Sequence, residues 1–222
     1  MFFAWHSSIL VICVTELRDN FIKNLEQKSM LARLFKKKYV GGKNIRVISD
    51  ELYACALLNT REAVFYKKYG VPDTFDGRFD LLLVHIFIIL HILMDNNEYE
   101  IMSQALFDSV FKDMDQTLRE LGIGDMGVPK HMKRMMKAFN GRMHSYQWAI
   151  DPDSLENQNI DDIKKLSLNS SLKNNLYGSI IDSDSFDDNI VVNMEKFILN
   201  NIRDKSVERV SGILNGQMNY IN

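Results

Sequence analysis

Cysteine is almost missing from this chain: Cys13 and Cys55 are the two in 222 residues. They lie far apart without paired spacing, which excludes a disulfide framework or a zinc knuckle and fits a reducing compartment. Proline is scarce, with three, so long helices meet few breaks. An excess of one charge is lacking too. Twenty-seven Lys and Arg against 29 Asp and Glu leave a net −2, so no global basic field is available for nucleic acid. Any electrostatic preference belongs to local patches.

Apolar runs of membrane-spanning length are absent as well. The stretch Leu81–Met94 has 14 residues, about 21 Å as a helix, against a hydrocarbon core of roughly 30 Å. It carries His85 and His91 between Asp80 and Asp95, and it is expected as a buried central helix. Met1–Val14 is apolar but has no basic segment before it, and Glu16 and Asp19 follow. It reads neither as a secretory signal nor as a transit peptide. Met30 is an alternative start, because Met30–Phe35 with Lys36, Lys37 and Lys38 begins a basic amphipathic lead-in. Residues 1–29 are therefore set apart as an extension.

What is present is ordinary globular material. Apolar residues make up 46%, enough for one sizeable core. Helical spacing dominates from Ser49, read as a cap with Asp50 and Glu51 behind it. That helix is expected to run to Tyr69-Gly70. Asp73 or Thr74 caps the central helix, and Asp95-Asn96-Asn97 ends it. Over 98–121 the residues Phe107, Phe111, Met114, Leu118 and Leu121 form an apolar stripe, with Asp108, Lys112, Asp115 and Arg119 as a charged one. Pro129 opens a further helix at a position where its missing N–H is harmless. In it Met132, Met135, Met136, Phe139 and Met143 share one side, and Lys130, Lys133, Arg134 and Lys137 another. Short helical pieces are expected near 160–166 and 172–176, an acidic loop at 183–188, and a last helix or helix pair over 187–214. No strand pattern and no repeat stand out. The fold class is all-α: a single helical domain of six or seven helices around the apolar one, divided as residues 30–178 and a C-terminal segment 179–222.

No reactive constellation emerges, and an enzyme is not expected. His85 and His91 are six apart, about 240° around a helix, so they cannot share a metal as an i,i+4 pair does. They read as packed helix residues, and Cys55 as a small core residue. Asp113 and Asp115 face different ways, as solvated or ion-paired positions. The glycines of Gly122–Gly127 follow no strand and precede no Gly-Lys-Ser/Thr, which excludes a phosphate loop. No cofactor and no metal are expected. Gly77 in a first helical turn is unfavourable by about 1 kcal/mol against Ala, so something packs closely there: a helix crossing, with Arg78 in an ion pair, or a partner. The methionine side of the Pro129 helix reads either as core or as an adaptable binding surface. Its basic side reads as a solvated face or as a patch for acidic partners, lipid headgroups or RNA.

Several segments together resemble the ubiquinol–cytochrome c chaperone family. They are Phe65-Tyr66 with Gly70–Leu82, Gln104–Asp108 with Asp113-Met114-Asp115, Leu118–Asp125, Val128–Met135 with Ala138–Arg142, and, more weakly, Leu172–Gly178. The resemblance spans roughly 31–177. It implies a soluble, all-helical assembly factor without catalytic residues. Mitochondrial members of that family bind newly made cytochrome b near the ribosomal exit and hold it, with a small partner assembly factor, for the ubiquinol–cytochrome c reductase. Bacterial members are expected to act similarly at the inner membrane. Because no transit peptide is read, the expected location is the bacterial cytoplasm, peripheral to the inner membrane, or the mitochondrial matrix in a eukaryote. The expected partner surface comprises Asp76, Arg78 and Asp80 at the start of the central helix with Lys130, Lys133, Arg134, Lys137 and Arg142. An RNA- or lipid-headgroup-binding module using the basic face of 130–142 is the alternative.

Overall fold

The computed structural model describes residues 39–40, 43–151, 167–181 and 186–221. The expectations for an alternative start at Met30, for a helical piece at 160–166 and for the first half of the acidic loop fall outside these residues. In chain order the elements are β1 (Tyr39–Val40), β2 (Lys43–Asn44), α1 (Ile45–Asn59), α2 (Ala63–Lys67), α3 (Phe75–Leu93), α4 (Tyr99–Glu120), α5 (Val128–Ile150), α6 (Leu168–Asn175), α7 (Asp188–Arg203) and α8 (Val207–Leu214). The all-α expectation holds. Eight helices occur among the described residues rather than six or seven, because the first expected helix is two. The antiparallel pairs Tyr39↔Asn44 and Val40↔Lys43 add a two-residue hairpin that the sequence did not announce.

The first helix starts a turn before Ser49. Asn44 is its cap, with the side-chain oxygen accepting from the Arg46 N–H at 3.0 Å. Ser49 is instead buried inside the helix, its hydroxyl donating to the Arg46 carbonyl at 3.0 Å. The helix stops at Asn59, where the Thr60 hydroxyl donates to the Leu57 carbonyl at 2.7 Å and ends the run. Thr60 thus competes for helix carbonyls as short polar side chains do. After α2, Gly70 turns the chain at φ +61°, a conformation that costs other residues about 1 kcal/mol.

Thr74 caps α3 through a 3.0 Å bond from the Gly77 N–H to its hydroxyl. The next nineteen residues form a helix that from Leu81 onward is apolar on nearly every side, a pattern stable only when every side is covered. Its cover comes from α1, α4, α5, α7 and α8, which all contact it. Leu81, Leu83, Val84, Ile86, Ile88, Ile89 and Leu93 have no exposure. Phe107 and Phe111 of α4 meet Phe139 of α5 with ring centroids 5.4 and 5.6 Å apart, which ties the α4–α5 hairpin together. Val191, Met194, Phe197, Ile198 and Ile202 of α7 join the same core.

The chain closes with a strap after α8. Asn201, fully buried in α7, donates to the Ile221 carbonyl at 2.9 Å and accepts from the Ile221 N–H at 2.9 Å. The Cys55 thiol donates to the Met218 carbonyl at 3.1 Å, and the Tyr220 ring lies edge-on to His85.

Candidate partner-binding surface

Helix α5 carries the polarised pattern seen in the sequence. Met132, Met135, Met136, Phe139 and Met143 are all buried, so the methionine side is core and not an adaptable surface. Lys130, Lys133, Arg134 and Lys137 fall at steps of three and four and are all exposed. None of the four has a carboxylate within ion-pair distance among the described residues. The result is a cationic ridge on a rigid helix whose other side is locked into the core.

The turn before α5 adds apolar surface at the ridge's start. Leu121, expected to close the α4 stripe inside the core, is 63% exposed, and Met126 is 96% exposed. The helix ends at Glu120, so the 3.6-residue spacing stops applying one residue earlier than the stripe assumed. Arg119 is held between Asp115 at 2.8 Å and Asp125 at 2.6 Å and is not available to the ridge. A run of glycines around two large apolar residues was the available sequence signal for Leu121 and Met126.

The start of α3 divides its expected partner residues. Asp76 is exposed, and Arg78 is exposed and paired with Asp73 at 2.6 Å over the Tyr66 ring. Phe75, not singled out in the sequence, lies between them and the cap with 44% exposure. Gly77 is required by its own chain: a Cβ there would stand 2.1 Å from the Pro72 carbonyl oxygen. The close approach is thus the Val71-Pro72 turn folding onto the first turn of α3, and neither a helix crossing nor a partner explains it.

Asp80 and Arg142 lie 62 residues apart in the chain and meet inside the protein. Arg142 donates through Nε to Asp80 Oδ1 at 2.6 Å and through Nη2 to Oδ2 at 3.1 Å. The Asp80 side chain is 7% exposed and that of Arg142 22%. Burial holds the Asp80 carboxyl above the usual carboxylate range, with the Arg142 guanidinium pulling the other way. This two-point clasp fixes α5 against α3. Of the eight expected surface residues, six are exposed and these two are paired within the fold.

His85 and His91 are core residues. His85 is fully buried among Phe65, Phe197 and Tyr220, and desolvation pushes its pKa down to about 3. His91 faces the Gln147 carboxamide at 3.2 Å, and burial lowers it to about 4. No grouping of three or more His, Cys, Asp or Glu able to hold a metal occurs among the described residues. Nor is any helix among them long and apolar enough to cross a membrane.

Comparison with known proteins adds the family. The Xenopus laevis ubiquinol-cytochrome-c reductase complex assembly factor 1 is 22% identical over 135 residues, which cover 56% of this chain and 68% of that protein. The crystal structure of the Cbp3 homolog from Brucella abortus superposes with a TM-score of 0.59 at 30% identity, covering 79% of this chain and 90% of that one. The family model for the ubiquinol-cytochrome C chaperone matches residues 67–203. That match starts later and runs further than the span read from the motifs, taking in all of α7. With central helix, clasp and ridge inside a match of more than half its length, this chain belongs to the ubiquinol–cytochrome c chaperone family.

Proposed function

We propose that this protein is an assembly chaperone of the ubiquinol–cytochrome c reductase complex which grips newly made cytochrome b through the ridge of α5. The observation that carries the reading is the set Lys130, Lys133, Arg134 and Lys137, exposed and without carboxylate partners among the described residues, on a helix whose opposite side is core. A row of cations fixed in spacing by a helix steers an oppositely charged partner and sets its register. Leu121 and Met126 at its start supply apolar contact, which suits a client that presents both membrane-facing and loop segments. Asp76 and Arg78 extend the contact at the start of α3, and the Asp80–Arg142 clasp holds the two elements in register. The work is binding, and it takes place beside the membrane that receives the client.

The test is capture of tagged cytochrome b by the wild-type chain and by Lys130→Glu/Lys133→Glu/Lys137→Glu. Each reversal of a rim charge is worth about 0.5 kcal/mol, so the triple variant is expected to lose roughly tenfold in affinity. Its melting temperature should stay within a few degrees, because all three side chains are exposed. Undiminished capture would refute the ridge. Binding of RNA or of anionic vesicles that falls steeply with salt, with no cytochrome b captured, would favour the electrostatic module instead.

A further inference from the structure

On another face of the protein, a cavity of about 180 Å³ opens between the end of α2 and the side of α7, at the point where the strap ends. The buried rings of Tyr69 and Phe197, with centroids 5.7 Å apart, form its floor. Lys68 and Lys196 stand at its rim, both exposed, and no carboxylate among the described residues lines it. Lys68 is held over the Tyr69 ring at 5.0 Å, and neither lysine has an ion pair among the described residues. The remaining wall is amide: Asn193 and Asn200 of α7 face the opening two helical turns apart.

That spacing has a meaning for a polypeptide. Seven residues of helix rise about 10.5 Å, the length of about three residues of extended chain. Two carboxamides so placed can each meet a backbone amide of one extended segment, while the side chain between them enters the cavity. The helix already does this once for its own chain. Asn201, beside Asn200, holds the Ile221 backbone through both its N–H and its carbonyl at 2.9 Å, and Ile221 borders the cavity.

We propose that this cavity binds an extended segment of a partner polypeptide in which an aromatic or aliphatic side chain sits next to a carboxylate. The ring or alkyl group fills the Tyr69–Phe197 floor, the carboxylate lies between Lys68 and Lys196, and the asparagines hold the backbone. This surface is separate from the α5 ridge and does not depend on that ridge's role.

The experiment is fluorescence anisotropy on the full chain with a labelled hexapeptide, Gly-Ser-Phe-Asp-Ser-Gly, and its counterpart with Lys in place of Asp. The acidic peptide is expected to bind saturably and at least about tenfold more tightly than the basic one. Lys68→Glu/Lys196→Glu should abolish that preference, and Asn193→Ala/Asn200→Ala should weaken binding about threefold while the preference remains. Thermal melts of both variants control for folding, and all four substituted side chains lie outside the core. Equal affinity for the two peptides, no saturable binding, or binding untouched by either pair of substitutions overturns the proposal. Tighter binding of a labelled oligouridine, lost on the same lysine reversals, overturns it in favour of a nucleic-acid site.

Discussion

Replacing Arg142 by Met leaves the Asp80 carboxylate buried without its partner. Because the Asp80 side chain is 7% exposed, water can do little to compensate. Breaking a buried pair from one side costs about 3 to 5 kcal/mol. Arg142 is 22% exposed, which admits some solvent and places the expected loss near the lower end, about 3 kcal/mol. For a chain of this size that is a fall of about 6 to 12 °C in melting temperature. The acid dependence gives the reasoning its sharper edge. In the folded wild type, burial already keeps the Asp80 carboxyl above the usual carboxylate range. Without the guanidinium it rises further. A carboxyl with a raised folded pKa destabilises the fold above that pKa, and the deficit fades as pH falls toward the unfolded value. The difference between Arg142→Met and wild type should therefore be largest near pH 7 and shrink toward pH 5. The double variant Asp80→Leu/Arg142→Met, which removes both charges, should recover to within about 1 kcal/mol of wild type. Urea unfolding followed by circular dichroism at both pH values measures all of this. A penalty that does not change with pH, or a double variant worse than the single one, would refute the argument.

Three further outcomes follow from the core. His85 and His91 are neutral in the folded state, with pKa values of about 3 and 4, whereas the unfolded chain takes up protons below about 6.5. Stability should be complete well above pH 6.5 and fall by about 2.6 kcal/mol for each histidine by pH 4.5, and His85→Phe should remove about half of that slope in acid-unfolding curves. Gly77→Ala places a methyl 2.1 Å from the Pro72 carbonyl, so it should destabilise by about 2 kcal/mol or more, read as an earlier thermal transition. Asn201→Ala removes both bonds to Ile221, and hydrogen exchange at the Ile221 amide should accelerate while amides in the middle of α3 stay protected.

Local chemistry was legible in the sequence and long-range pairing was not. A cap at Asp73 or Thr74, Pro129 in the first turn of α5, and a buried helix over 81–94 all follow from nearest-neighbour rules; Thr74 is the cap, Pro129 is in the first turn, and 81–93 are buried. The start at Ser49 misled because its acidic neighbours imitate a first turn, while Asn44 had already capped the helix. The break at Thr60 involves neither proline nor glycine, only a hydroxyl turned onto a carbonyl. Asp80 and Arg142 looked like surface charges because nothing nearby in the chain reveals that they meet. The helical spacing over 187–214 was legible, and Asn193, Asn200 and Asn201 are helical. What composition does not encode is that Asn201 binds the Ile221 backbone across a gap.

The nearly all-round apolar character of α3 has a consequence for how the protein is made. Its sides are covered by α1 from before it and by α7 from about a hundred residues after it. While α7 is still inside the ribosome, His85 and its neighbours on α3 lack the flank that Phe197 supplies. Translation must therefore pass Arg203 before the last apolar side of α3 is covered. Until that moment the chain is itself a candidate for escort, and a stop codon placed before α7 should send the product into aggregates.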